Sequence, residues 1–329
     1  MELHTKVRIP TQKGLCTYNN PILCMGSCFA SMMGDKLSEA KFTTLANPMG
    51  ILYNPVSLAN CLALLMDESQ FPVWTYADHL QSWHSFDLHS LVSHPDKDML
   101  QAKTEEILQQ ARAMLKESPL MILTLGTAMG YRHKESGRIV GNCHKYPASH
   151  FHKEMLSLDN LVEKYVSLLD KLVKAFPDIR LLLTVSPIRH TKDTLSLNSV
   201  SKSILRILCH TLSERYEWVT YFPAYEIMMD ELRDYRFYAA DMIHPTPTAE
   251  KWIWEKFIDA FLEEEDYLLF QRWEKIRIQL AHRPKFPHAE GHKIFLQNLY
   301  TSLQAISTRL DCEEELAYVQ KQLNTYSGK

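Results

Sequence analysis

The stretch "PILCMGSCFASMMGDKLSEA", residues 21–40, decides the fold. Its opening, PILCM, is a short apolar run of strand length, and after Gly26 the pattern FASMMGDKLSEA takes on helical spacing. A buried strand that becomes a helix at a glycine is the opening unit of an α/β layer fold. Two adjacent nucleophilic side chains, Ser27 and Cys28, stand at the turn. They read either as small turn residues, with Cys28 packed as a hydrophobe, or as the place where a reaction starts.

The alternation continues along the chain. FTTLA (42–46) predicts a second strand, and PVSLANCLALLMDE (55–68) a helix with Pro55 in its first turn. LMILTLG (120–126) and IRLLLTVS (179–186) predict further strands, and WVTYF (218–222) the last. The helical patterns at 156–176 and 198–215 cover them, and PTPTAEKWIWEKFIDAFLEE (245–264) adds a helix whose aromatic residues read as core. Ser136-Gly137, inside GYRHKESGRIVGNCHK (130–145), marks a projecting hairpin. After Asp266 no β-rich run follows. Residues 1–265 are therefore expected to form the main domain, and 266–329 a helical extension that packs on it or serves an interface.

Composition excludes several classes. A formal net charge of −3 over 329 residues disfavours nucleic acid and anionic membrane as partners. No apolar stretch has the length of a membrane span, and the N-terminal residues lack the charged-then-apolar pattern of a secretory signal. Seven scattered cysteines without C-x-x-C spacing suit reduced thiols in a cytoplasm better than disulfides or a structural zinc site. No motif asks for a cofactor. Oligomeric state is open.

In open α/β sheets ligands collect at the carboxyl ends of the strands, where this turn lies. The helix that follows presents unpaired N–H groups and a positive dipole end, which favour a thiolate or an oxyanion. Ser27 needs a base beside it to react. AADMIHP (239–245) supplies a candidate: His244 as base and Asp241, three residues earlier, to fix its tautomer.

Taken together, GSCFA (26–30), NPMGILYNP (47–55), LTLGTA (123–128), NCHK (142–145), VSPIRH (185–190) and YRFYAADMIHP (235–245) resemble the bacterial GSCFA family, itself related to the SGNH (GDSL-type) esterases and acyltransferases. The resemblance spans roughly residues 1–285. It implies a flavodoxin-like, doubly wound, mostly parallel sheet with helices on both faces. Matched residue by residue, the SGNH pattern places the nucleophile at Cys28, with Ser27 as fallback, and an oxyanion N–H at Gly50. The D-x-x-H-P block falls on Asp241, His244 and Pro245. The third block departs: Gly126 and Thr127 are followed by Ala128, where relatives keep an asparagine donor. Asn142 of the hairpin is the expected substitute, unless backbone groups serve alone.

Other polar clusters are read beside these. His144 and Asn142 are expected to contact substrate, and the surrounding histidines lack the spacing of a closed metal site. WHSFDLHS (83–90) is either a cleft segment or a surface hairpin. Arg189 is placed to bind a carboxylate or phosphate, or else to pair with Asp193. The expected function is ester hydrolysis or acyl transfer on an acylated carbohydrate or cell-envelope-type metabolite, possible also from a carrier thioester. The alternative is a ligand-binding module on the same fold.

Overall fold

A computed structural model describes residues 5–67, 70, 72–117 and 119–326. Residue 68, expected at the end of the second helix, and the chain ends 1–4 and 327–329, expected in the two domains, lie outside the described residues, as do 69, 71 and 118.

The first strand, β1 (Ile22–Gly26), leads directly into α1 (Cys28–Glu39). β2 (Thr44–Ala46) and α2 (Pro55–Met66) follow, with Asn54 capping α2 by accepting the Ser57 N–H and Pro55 in the first turn. Three short strands, β3 (Thr75–Ala77), β4 (Ser82–His84) and β5 (Ser93–His94), form a small antiparallel sheet ahead of α3 (Lys97–Lys116). Then come β6 (Leu120–Leu125) and a second antiparallel sheet of β7 (Met129–His133), β8 (Ile139–Val140) and β9 (Phe151–Met155). Gly137, at φ +68°, turns β7 into β8 as its sequence suggests. α4 (Leu158–Ala175), β10 (Arg180–Val185), α5 (Leu195–Arg215) and β11 (Val219–Phe222) complete the central alternation. A short α6 (Ala224–Glu226) runs into a π-helical turn, and α7 (Pro247–Phe261), α8 (Glu264–Leu280), α9 (Glu290–Ile306) and α10 (Glu313–Asn324) close the chain.

β11-β10-β6-β1-β2 is the order of the central sheet, and every pairing in it is parallel. Counting only these five strands, the order is 2-1-3-4-5, which reverses direction between β1 and β6 and opens a crevice at their carboxyl ends. Alternate side chains divide the core in two. Leu23, Met25, Leu123 and Leu183 pack with α2, α3, α4 and α5, whereas Ile22, Cys24, Ile122 and Leu182 pack with Phe29 and Met33 of α1 and Phe257 and Phe261 of α7. Burial on both faces explains why these strands read as continuous apolar runs.

α8, α9 and α10 enclose a third apolar cluster around Trp273, Leu299 and Leu303. They meet the sheet-bearing part at the far end of α1: Trp273 Nε1 donates to the Glu39 carbonyl (2.7 Å), and Lys41 pairs with Glu315 (2.6 Å). Asp266, almost wholly buried, accepts from the Tyr18 backbone N–H (2.9 Å) and from Arg309 (2.6 Å). Among the described residues no helix is long and apolar enough to cross a membrane.

The turn that ends β1 admits only glycine. Gly26 has φ +140°, and a Cβ there would lie 2.1 Å from the Thr124 carbonyl oxygen of β6. Gly26→Ala is expected to lower the unfolding free energy by about 3 kcal/mol, because strain in φ and a backbone overlap add. Chemical denaturation of the two proteins measures this.

Candidate active site

Ser27 and Cys28 part company at the elbow. Ser27 is the N-cap of α1, 1 % exposed; its N–H donates to the Thr124 carbonyl (3.2 Å) and its hydroxyl accepts from the Phe29 N–H (3.3 Å). Cys28, at the first helical position, is half-buried and its side chain borders a cleft of about 380 Å³. Its Sγ lies 3.2 Å from the Tyr53 hydroxyl. The N–H of Cys28 has no acceptor within the helix, so it adds to the positive end of α1.

His244 borders the same cleft, at the mouth of α7. Asp241 shapes its loop: Oδ1 accepts the Ile243 and His244 N–H groups (2.9 and 3.0 Å), and Oδ2 meets His244 Nδ1 at 2.7 Å. These bonds, the imidazole's first, hold the Asp241 carboxyl down at about 2. An ionised carboxylate can only accept, so Nδ1 carries the proton and Nε2 is left as the basic nitrogen. Met242, between them, takes φ +58°, unusual for a residue with a Cβ, and Arg189 braces it by donating to the Met242 carbonyl. Among the described residues no hydrogen bond joins Cys28 to His244, although both border the cleft; catalytic contacts are often long before a substrate binds. Ser31, Asp35, Lys36, Glu39 and Glu250 add polar walls.

Behind this rim, α5 presents a polar stripe to the strand ends at one-turn spacing. Asn198 Oδ1 accepts the His190 N–H (2.9 Å), and Ser201 Oγ accepts the Ala128 N–H (2.7 Å). Lys202, 1 % exposed, donates to the carbonyls of Gly126 and Ser186, both at 2.7 Å. It thereby ties the ends of β6 and β10. Burial brings its ammonium down to about 7.

Several residues expected in the oxyanion hole or on the substrate are engaged elsewhere, and none of them borders the cleft. Gly50 donates its N–H to the Asn47 carbonyl (2.7 Å) within a turn at φ +77°, so it is not an open donor. Gly126 and Thr127 both donate their N–H groups to the Tyr53 carbonyl (2.9 and 3.0 Å), and the Thr127 hydroxyl meets Ser201 (3.0 Å). Asn142 turns Oδ1 onto the His144 N–H (2.8 Å). His144 is a core histidine: its Nε2 sits on the Ser85 and Leu88 carbonyls (2.8 and 3.2 Å), and its ring packs at a tilt against His84, with centroids 4.1 Å apart. Arg189 lies 3.9 Å over the Tyr238 ring, while Asp193 pairs with Lys153 instead. The WHSFDLHS segment contributes β4, which pairs antiparallel with β3 and β5 and buries His84.

Sequence reasoning missed Asn47 and Tyr53, although both lie in NPMGILYNP. Asn47 Oδ1 accepts the Gly26 N–H and its Nδ2 donates to Ser31 Oγ, both at 2.8 Å, binding the strand end to the first turn of α1. The available signal was the residue type: asparagine tolerates the left-handed region, which Asn47 adopts at φ +45°. Tyr53 gave none, because a tyrosine before a capping asparagine reads as ordinary packing.

The molecule is thus an α/β protein carrying a thiol and a carboxylate-oriented imidazole on one cleft at the sheet's carboxyl edge. Residues 21–257 match the GSCFA family, and residues 273–325 match the GSCFA domain protein, C-terminal domain. The chain belongs to the GSCFA family. Comparison with curated proteins finds no match.

Two outcomes follow from these bonds. Asn47→Ala removes two hydrogen bonds and leaves the Gly26 N–H without its partner, so unfolding is expected to become about 2 kcal/mol easier, read by denaturant titration. From about 7 to 10.5 the unfolded chain holds a proton on Lys202 that the folded chain lacks, so this group makes stability rise with pH across that window. Lys202→Met should flatten that part of the slope in unfolding curves taken at several pH values.

Proposed function

We propose that this protein is an SGNH-like esterase or acyltransferase acting on an acylated carbohydrate or cell-envelope-type metabolite. The observation that carries the reading is Cys28, at the first turn of α1, sharing one cleft with His244 and its carboxylate partner Asp241. The parallel sheet with its elbow at the end of β1 supports the SGNH relation. In the reaction His244 Nε2 takes the Cys28 proton, and the thiolate attacks an acyl carbonyl. The imidazolium then returns its proton to the leaving alcohol, and water or a second hydroxyl discharges the acyl-enzyme. Cleft walls carrying three carboxylates (Asp35, Glu39 and Glu250), the Ser31 hydroxyl and one lysine suit a neutral polyhydroxylated group better than a phosphorylated one. Carriage to the cytoplasm is part of the same reading and rests on the reduced state expected of the thiols.

A second reading, a ligand-binding module, draws on one observation: the N–H groups of Gly50 and Gly126 are already bonded, and Ala128 offers no side-chain donor. Turnover of acetylated sugars and p-nitrophenyl acetate separates the two. Cys28→Ala is expected to abolish activity, and His244→Ala to lower kcat by about a thousandfold. Ser27→Ala should keep its nucleophile and lose about 1 kcal/mol of stability with the cap. Saturable sugar binding without turnover in the wild-type protein points to the binding module, and loss of activity in Ser27→Ala with retention in Cys28→Ala reassigns the nucleophile.

A further inference from the structure

We propose that the Tyr53 hydroxyl is the side-chain donor of the oxyanion hole, an inference that rests on the acyl-transfer reading above. The phenolic oxygen is 3.2 Å from Cys28 Sγ. Once that sulfur bonds an acyl carbon, the carbonyl oxygen lies two bonds away, within the same donor's reach. The candidate donors of the neighbouring strand ends are bonded elsewhere, and what they bond is informative: the N–H groups of Gly126 and Thr127 both hold the Tyr53 carbonyl. A Cβ on Gly126 would sit 2.9 Å from that carbonyl oxygen, so the glycine is what lets the two segments approach. The end of β6 therefore clamps the backbone of the residue that reaches the thiol.

Tyr53 is fixed from its other sides as well. The ring stands edge-on to His190, with centroids 5.8 Å apart, and the next residue, Asn54, caps α2. A donor held in place before the reaction costs no reorganisation when charge develops. Burial, with the neighbouring thiol, pushes the phenol above its ordinary range, so it keeps its proton and remains a donor.

The step balances without proton transfer from tyrosine. The Cys28 proton moves to His244, the sulfur pair forms the S–C bond, and the carbonyl π pair moves onto oxygen. That oxygen accepts the Tyr53 O–H hydrogen bond. When the C–O bond to the leaving alcohol breaks, the π bond re-forms and the imidazolium proton departs with the alcohol.

Two measurements on Tyr53→Phe test this: steady-state hydrolysis of p-nitrophenyl acetate, and the rate of Cys28 alkylation by iodoacetamide across pH, with Cys28→Ala as background for the other thiols. Alkylation forms no oxyanion. The expected result is a kcat lower by about a hundredfold with KM little changed and an alkylation profile close to wild type. Thermal unfolding of the variant is expected to stay near wild type because the ring is kept, and Tyr53→Gln, which restores a side-chain donor, should recover part of the rate. A wild-type kcat in Tyr53→Phe, or alkylation slowed as much as turnover, overturns the assignment. Absence of Cys28-dependent turnover in the wild-type protein overturns the acyl-transfer reading itself, and the role of Tyr53 with it.

Discussion

The Thr124 carbonyl occupies the space that a side chain on residue 26 would need, and the rest of the site is arranged around that approach. Because β1 and β6 come so close, the N–H of Ser27 can reach the same carbonyl, and α1 starts at once with Ser27 as its cap. Begun here, it buries the hydroxyl and presents the thiol. Asn47 completes the arrangement from a neighbouring loop by holding both sides of the turn.

The two halves of the site are maintained by different physics. The elbow is backbone-built and buried, and its bonds run between strand ends and a helix start. The Asp241–His244 loop is half exposed and is held by an acidic side chain folding onto its own backbone, with Arg189 fastened over the top. Lys202 lies between the strand ends and links β6 to β10 through their carbonyls, so the crevice has a floor tied by a single ammonium. That floor is polar inside a closed core, so a change of charge there is costly.

Much of the architecture was legible in the chain. Continuous apolar runs gave the central strands, since a sheet covered on both faces needs no alternation, and Pro55 and the proline-opened α7 marked helix starts by fixed φ. The elbow and the D-x-x-H loop were legible because each is local: a glycine, a cap and a carboxylate three residues from an imidazole. The bonding state of the expected oxyanion donors was not. Gly50, Gly126 and Asn142 satisfy the pattern by residue type, yet whether an N–H is open depends on which carbonyl folds against it, and that is decided by segments far away in sequence. Tyr53 and Lys202 escaped notice for the same reason, as each acquires its partners only from what the topology sets beside it.

α1 also acts as a mechanical part. Its twelve residues make a stiff rod about 18 Å long. The thiol rides on one tip, and at the other Trp273 grips the Glu39 carbonyl while Tyr18 donates to that of Ala40. A rod seated at both tips has little liberty to tilt, so the terminal helices, though remote from any chemistry, help aim the sulfur.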